Sequence, residues 1–309
     1  RVGIAVHPEN GNDANTLIRR AAIAEGSGRA IERGLAFYKP SRDSYSADRL
    51  TLVSELRNAI NNDELTLYLQ PKLALKTREI IGFEALLRWS GREQSVFADE
   101  IIAVAEQSGL IKPLTRWVIS EALKMRERLV ELDITASIAV NISPNNLREP
   151  DFALFVRQQM KHCPSHLGSI IFEVTETSMM QDPANSLKAL NSLNQAGIPL
   201  SIDDFGSGYS SLSYIKQLPA KEIKIDRSLI TDLSDRKEDR VIVQTTINMC
   251  HSLGYKVVAE GVEDEATLNL LSDMGCDQIQ GYFLSRPLSF EEIVEWLADQ
   301  PCRSRINAS

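Results

Sequence analysis

The apolar run Ile80-Ile81-Gly82-Phe83 closes on a carboxylate, Glu84, before Ala85-Leu86-Leu87-Arg88-Trp89. A strand that ends in a core should not end on an unpaired acid, because a buried charge without a partner forfeits its hydration. At the mouth of a barrel the same acid faces a pocket. The pattern repeats down the chain. Asn141 ends Ile138-Ala139-Val140, Glu173 ends Ile170-Ile171-Phe172, Asp203 and Asp204 end Leu200-Ser201-Ile202, and Glu260 ends Val257-Val258-Ala259. Hard oxygen ligands at the ends of successive strands are what a metal site built across a (β/α) barrel requires.

The rest of the chain fits that frame. Val2 to Val6 alternates like a strand, and Asp13 is placed to cap a helix through Thr16, Leu17 and Ile18. Gly26, Gly28 and Gly34 weaken the rest of that helix, and Tyr38 to Asp43 reads as an exposed linker. Apolar spacing predicts a helix from Leu50 to Ile60, then a strand Leu65 to Leu69. A short, Lys-containing turn joins it to the Ile80 strand, which favours an antiparallel pair. From there strands and helices alternate. Helices are expected over 114–132, 152–160, 185–196, 239–253, 265–274 and 290–297, and strands over 137–140, 169–174, 199–202, 222–225, 256–259 and 277–283. Gly197 and Gly254 stop two of the helices. Alternation means parallel βαβ units, and about eight strands suit a closed barrel. A doubly wound open sheet ranks lower, because it gathers its ligand groups at one switch point rather than on nearly every strand.

Glu84, Asn141, Glu173, Asp203 and Asp204 offer carboxylate and amide oxygens with no thiol or imidazole, a set that selects Mg²⁺ or Mn²⁺ over zinc. Several carboxylates around one pocket repel unless cations sit between them, and two such ions suit in-line displacement at phosphorus. Lys224, beside metals that can lower its pKa, is placed to orient or deprotonate a water, and Arg88 to hold a phosphate oxygen. Asp204-Phe205-Gly206-Ser207-Gly208-Tyr209-Ser210-Ser211 reads as a lid or a device for positioning metals. Singly, each feature has an ordinary explanation: a helix cap, a surface lysine, a plain turn. Their coincidence on several strands outweighs it. His162 and His166 have helical spacing, but Pro164 between them breaks the geometry, so they read as surface residues. Trp89, Trp117 and Trp296 read as core or rim packing, and Asp232, Asp235, Glu238 and Asp239 as a solvated stretch before a helix.

The formal net charge of −8, without a Lys/Arg cluster, argues against bulk nucleic-acid binding but not against a small anionic ligand bound through cations. Cys163, Cys250, Cys276 and Cys302 form no CxxC pair, which favours reduced thiols and a cytoplasmic setting. No apolar run approaches the ~20 residues of a membrane span. The start at Arg1-Val2-Gly3-Ile4, in mid-strand, reads as a fragment of a longer protein, compatible with an upstream sensor or membrane domain.

Tyr68-Leu69-Gln70-Pro71, Glu84-Ala85-Leu86-Leu87-Arg88-Trp89, Val140-Asn141-Ile142-Ser143, Phe172-Glu173-Val174-Thr175-Glu176-Thr177, Asp203-Asp204-Phe205-Gly206-Ser207-Gly208, Ile223-Lys224-Ile225-Asp226, Ala259-Glu260-Gly261-Val262-Glu263 and Gln280-Gly281-Tyr282-Phe283 stand in the order seen in EAL domains. The chain from about Leu50 to Leu297 therefore resembles the cyclic di-GMP phosphodiesterases. The resemblance implies an α/β fold, a (β/α)8 TIM-like barrel with its first strand antiparallel, and hydrolysis of cyclic di-GMP to linear 5'-pGpG. It implies two divalent cations, Mg²⁺ or Mn²⁺, held by Glu84, Asn141, Glu173, Asp203, Asp204 and Glu260. By the same resemblance Lys224 assists the attacking water and Gln280 supports it. Gln70 and Arg88 contact the phosphates, with Asp204 and Glu263 also at the ligand. Glu176 anchors the loop from Asp204 to Ser211, which links metal binding to a homodimer. Ser207 stands where Thr is common and keeps the hydroxyl.

The first residues resemble the end of a GGDEF domain. Gly3-Ile4-Ala5-Val6 and His7-Pro8 match its closing strand, whereas Ala21-Ala22-Ile23-Ala24 lacks the usual Asp. The expected division is residues 1–43 as the short N-terminal arm, a GGDEF-like tail plus linker, and 44–309 as the EAL domain. No GGDEF signature lies in the chain, which excludes cyclase activity for this segment. Two other functions compete with the hydrolase: a receptor that binds cyclic di-GMP without cleaving it, and a metal phosphodiesterase for another nucleotide. The metal ligands and the loop glutamate, lost in degenerate relatives, are all present.

Overall fold

The computed structural model describes residues 2–26, 35–39, 47–62, 64–89, 98–162, 169–208 and 212–299. Most of the expected linker, Cys163, Pro164, His166, Cys302, the side chain of His162, and loop residues Tyr209, Ser210 and Ser211 lie outside them.

The chain divides into two compact units, Arg1–Asp63 with Asp99–Leu110, and Glu64–Ala98 with Ile111–Ser309. In the first, strands β1 (Val2–Ile4) and β2 (Leu35–Phe37) pair in parallel. The helix Ala14–Gly26 packs on β1, and Ala24, Ala36 and Tyr38 form a small core. Asp13 does what its position predicts: Oδ1 accepts from the Thr16 amide at 2.9 Å and Oδ2 from the Thr16 hydroxyl at 2.6 Å. The unit also holds the helix Ala47–Asn61 and an unexpected one, Ala98–Ser108, with Ile101, Val104 and Ala105 buried.

The second unit is the barrel. Its strands are β3 (Leu65–Ala74), β4 (Ile80–Trp89), β5 (Ser137–Asn141), β6 (Ile170–Thr175), β7 (Leu200–Phe205), β8 (Glu222–Ile225), β9 (Lys256–Ala259) and β10 (Gln278–Gln280). They close in the order β10-β3-β4-β5-β6-β7-β8-β9. β3 is antiparallel to both neighbours and every other pair is parallel, as the short β3–β4 link requires. The turn lies at Leu75–Thr77, later than expected, so Lys72 belongs to β3 and only Lys76 to the turn. Leu69 donates to the Leu288 carbonyl, so the nitrogen of Pro71, two residues on, points the same way. It falls just past the end of the β10 ladder, where no donor is needed.

Two expected strand ends are not ends. Glu84 lies in mid-strand, because β4 pairs with its long antiparallel partner as far as Trp89 with Leu65. β7 continues through both aspartates to Phe205. Conversely β10 stops at Gln280, and Tyr282 and Phe283 are exposed beyond it. The apolar core lies between barrel and helices: Phe83, Ile138, Val140, Phe172, Ile202 and Ile223 are at most 2% exposed and alternate with the inward-facing residues. The interior departs from the usual stack of branched side chains. Register places Lys72, Glu84, Glu173, Asp203, Glu222, Lys224, Gln278 and Gln280 inside, beside Gly82, Ala139 and Ser201.

Candidate functional site

Lys224 occupies the centre. It is wholly buried on β8, and its Nζ lies 2.6 Å from Glu260, 3.0 Å from Glu173, 3.1 Å from Asp203 and 3.5 Å from Glu84. Burial alone would favour a neutral amine. Asp203, Glu173, Glu260 and Glu84 outweigh it and push the pKa well above the usual lysine value. The lowered pKa expected from the sequence belongs to a site with bound cations; the acid neighbours by themselves shift the lysine upward.

Glu84 is gripped from three strands. It accepts from Gln280 Nε2 at 2.6 Å and Asn141 Nδ2 at 2.8 Å and faces Lys224. Burial opposes its charge, but Lys224, Lys72 and these two amides bring its pKa down to about 2. Glu173, Asp204 and Glu260 go the opposite way. Burial, with Glu84 and Asp203 adding repulsion, raises Glu173 to about 7. Burial with Asp203 raises Asp204 to about 6, and Glu260 to about 8. The cluster holds more negative charge than its lysines offset.

Asp204 reaches the cluster by a backbone device. Strand alternation would send it away from Asp203. Instead it takes φ 55°, and the β7–β8 register shifts between Ile202 and Phe205. Its amide caps Asp203 Oδ1 at 2.9 Å. Carboxylate oxygens of Asp203, Asp204 and Glu260 then lie within 4.8 Å of one another, as do those of Glu84, Glu173 and Asp203. The two groups share Asp203. Among the described residues these are the acidic groups that could hold a metal, and their all-oxygen donors and excess negative charge fit hard divalent cations.

Glu176 follows β6, is 2% exposed, and accepts from the Gly206 amide at 2.9 Å. Gly206 has φ +100° and abuts Leu229, and a Cβ on Gly208 would crowd Glu176 Oε1 at 3.2 Å. The described half of the loop thus rests on this carboxylate. Gln70 accepts from Gln280 Nε2 at 3.0 Å and gives its own Nε2 to the Ser285 carbonyl at 3.3 Å. Arg88 shares the inward face of Glu84 but lies about 13 Å further along the strand. Its guanidinium sits 5.4 Å from the Tyr68 ring centre and donates to the Leu87 carbonyl. Glu263 is exposed in the loop after β9. The structure therefore joins Glu84, Asn141, Glu173, Asp203, Asp204, Lys224, Glu260, Gln280 and Gln70 directly. Arg88 and Glu263 stand apart.

Two interior residues escaped the sequence reading. Lys72 and Glu222 are 2% and 6% exposed, and Lys72 contacts Glu173 at 2.5 Å and Glu222 at 3.5 Å. The available signal was Lys72 lying two residues from Gln70 in an apolar run, hence on the same face.

Among the described residues no helix is long and apolar enough to cross a membrane. Residues 53–287 match the family described as the EAL domain. The Pseudomonas aeruginosa protein named bifunctional diguanylate cyclase/cyclic di-GMP phosphodiesterase MucR is 37% identical, over 96% of this chain and 44% of its own length. Cyclic di-GMP phosphodiesterase NbdA, also from Pseudomonas aeruginosa, is 35% identical over 96% of this chain and 38% of its own. The chain thus spans less than half the length of these relatives. A solved structure of the MucR phosphodiesterase in complex with c-di-GMP superposes with a TM-score of 0.75 at 37% identity, over 79% of this chain and 99% of that one. With the family matched across most of the barrel and relatives of this identity covering nearly all of it, the chain belongs to the EAL domain family.

Proposed function

We propose that this chain hydrolyses one phosphodiester bond of cyclic di-GMP, giving linear 5'-pGpG and lowering the level of a bacterial second messenger that governs biofilm formation. The observation that carries this reading is the pair of carboxylate groups sharing Asp203 at the mouth of an EAL barrel. Glu84, Asn141, Glu173, Asp203, Asp204 and Glu260 would hold two divalent cations, Mg²⁺ or Mn²⁺. When bound, such ions polarise the phosphoryl oxygens and lower the pKa of the attacking water.

The chain's own groups do the rest. Lys224, in contact with four acids, donates hydrogen bonds to the water and offsets charge gathering at phosphorus. The water oxygen bonds to phosphorus as the bond to the 3'-oxygen breaks, and the proton that the water loses is made good on that oxygen, which leaves as the 3'-hydroxyl. Gln280 and Gln70 form an amide pair that keeps Glu84 aimed and lines the approach of the phosphate. Arg88 swings from its perch on Tyr68 to a phosphate oxygen, Glu263 meets the ligand from the loop after β9, and Glu176 holds the loop that carries Asp204. A homodimer belongs to the same reading, by resemblance, as does an upstream domain joined through residues 1–43 to the EAL domain at 44–309. The family match beginning at residue 53 supports that division. A cytoplasmic setting is supported by the unpaired, buried Cys250 and Cys276.

The test is turnover of cyclic di-GMP with Mg²⁺, with Mn²⁺ and with chelator, following products by chromatography. Cation-dependent pGpG is expected. Binding of the nucleotide without product would make the chain a receptor, and faster cleavage of linear dinucleotides would assign another substrate.

A further inference from the structure

Among the described residues, the proposed reaction leaves two buried charges of the barrel interior, Lys72 and Glu222, without a task. Both face into the barrel further from the mouth than Glu84 and Lys224, since Lys72 pairs with Gly82, two residues before Glu84 on β4, and Glu222 precedes Lys224 by two residues on β8. Burying an ammonium costs several kcal/mol unless it is well paired, so an idle lysine here would be a burden. Lys72 is paired closely. Its Nζ reaches Glu173 Oε1 at 2.5 Å and Glu222 Oε1 at 3.5 Å. Lys224 takes the other oxygen, Glu173 Oε2, at 3.0 Å. The Glu173 side chain is wholly buried, so water cannot replace either partner.

We infer that Lys72 is a positioning residue: it ties down one oxygen of Glu173 so that the other is presented to the carboxylate cluster, and Glu222 holds Lys72 in place. Without Lys72 the freed oxygen has one buried cation left to turn to, Lys224, and doing so takes the carboxylate out of the cluster. Lys72 pairs across β3 and β4 with Gly82, where a Cβ would strike Ser137 Oγ of β5 at 2.5 Å. Lys72 also pairs with Gln280 across β3 and β10, so the strand that orients Glu173 also orients the amide on Glu84. Among the described residues Glu222 Oε1 has no hydrogen-bond partner, which leaves the Lys72 ammonium as its compensation.

The inference rests on the metal-dependent reading of this site, and its test reads cation binding directly. Mn²⁺ is titrated into the whole chain and followed by the electron spin resonance of the free ion, with thermal unfolding and cyclic di-GMP turnover measured alongside. Lys72→Met is expected to weaken Mn²⁺ binding about 10–100-fold, the usual effect of losing the partner of a metal ligand. Glu222→Gln, which leaves Lys72 in place, should give a smaller loss in the same direction. Lys72→Arg should lie nearer the wild type than Lys72→Met, because a cavity of about 440 Å³ lined in part by Lys72, Glu222 and Gln278 has room for the larger cation. Folded Lys72→Met with wild-type or tighter Mn²⁺ affinity overturns the inference, and so does Lys72→Arg indistinguishable from Lys72→Met. Should Lys72→Met fail to fold, wild-type affinity in Glu222→Gln overturns it. A wild-type chain that binds Mn²⁺ but releases no pGpG sinks the phosphodiesterase reading, while the affinity series still decides the role of Lys72.

Discussion

Single residues in this barrel are balanced against one another, and Glu84 shows it. Two amides and an ammonium converge on its carboxylate. Glu84→Ala removes a cation ligand and strands those donors, so turnover should fall at least a thousandfold, about 4 kcal/mol in activation free energy. Steady-state rates at saturating Mg²⁺ check this, and near-normal turnover would remove Glu84 from the metal site. The neighbouring acids make a different prediction. Glu173 and Glu260, raised to about 7 and about 8, hold protons in the folded chain that they have lost in the unfolded chain above their ordinary value of 4.5. The folded state therefore binds more protons between about pH 5 and pH 8, and its stability falls as pH rises through that window. Cation-free protein should melt at lower temperature at pH 8 than at pH 6, and Mg²⁺ should raise the melting temperature more at pH 8. A cation-free melting temperature that is flat or rising across the window would contradict this balance.

At the level of elements, the turn after β7 decides whether the two aspartates act together. Asp204 adopts φ 55°, a conformation that costs of the order of 1 kcal/mol for a non-glycine residue, and the loop behind it is tied to Glu176 through the Gly206 amide. Glu176→Ala should release that tie. The Mg²⁺ concentration for half-maximal turnover should rise about tenfold, with a smaller change in the rate at saturation. A metal titration of activity separates the two effects, and an unchanged half-saturation point would reduce Glu176 to a packing role.

For the molecule as a whole, closure depends on β10 fitting between β9 and β3. Gly281 follows it, and a Cβ there would meet the Val262 carbonyl at 2.1 Å and amide nitrogen at 2.4 Å. These backbone atoms cannot rotate aside, and they bond to the Gln280 carbonyl and the Phe283 amide. Gly281→Ala should cost about 3 kcal/mol or prevent folding, as overpacking against backbone does. Urea unfolding measures it, and a loss below 0.5 kcal/mol would mean that closure tolerates movement here.

The amino-acid sequence by itself determined the order of strands and helices, the antiparallel start and the inward acids, because alternation, turn length and the placing of carboxylates after apolar runs are local properties. The ends of β4 and β7 were not legible, since a strand runs as far as its partner pairs with it, and that partner is elsewhere in the chain. The helix Ala98–Ser108 was missed although Asp99 and Glu100 stand in its first turn. Only the tertiary structure decided which acids surround Lys224, since the four come from four separate segments. It alone turned Asp204 inward against strand alternation, and it alone brought Lys72, Glu173 and Glu222 together from β3, β6 and β8. The reason is common to all three. Burial, charge and register are sums over neighbours that the chain brings together only when the barrel closes.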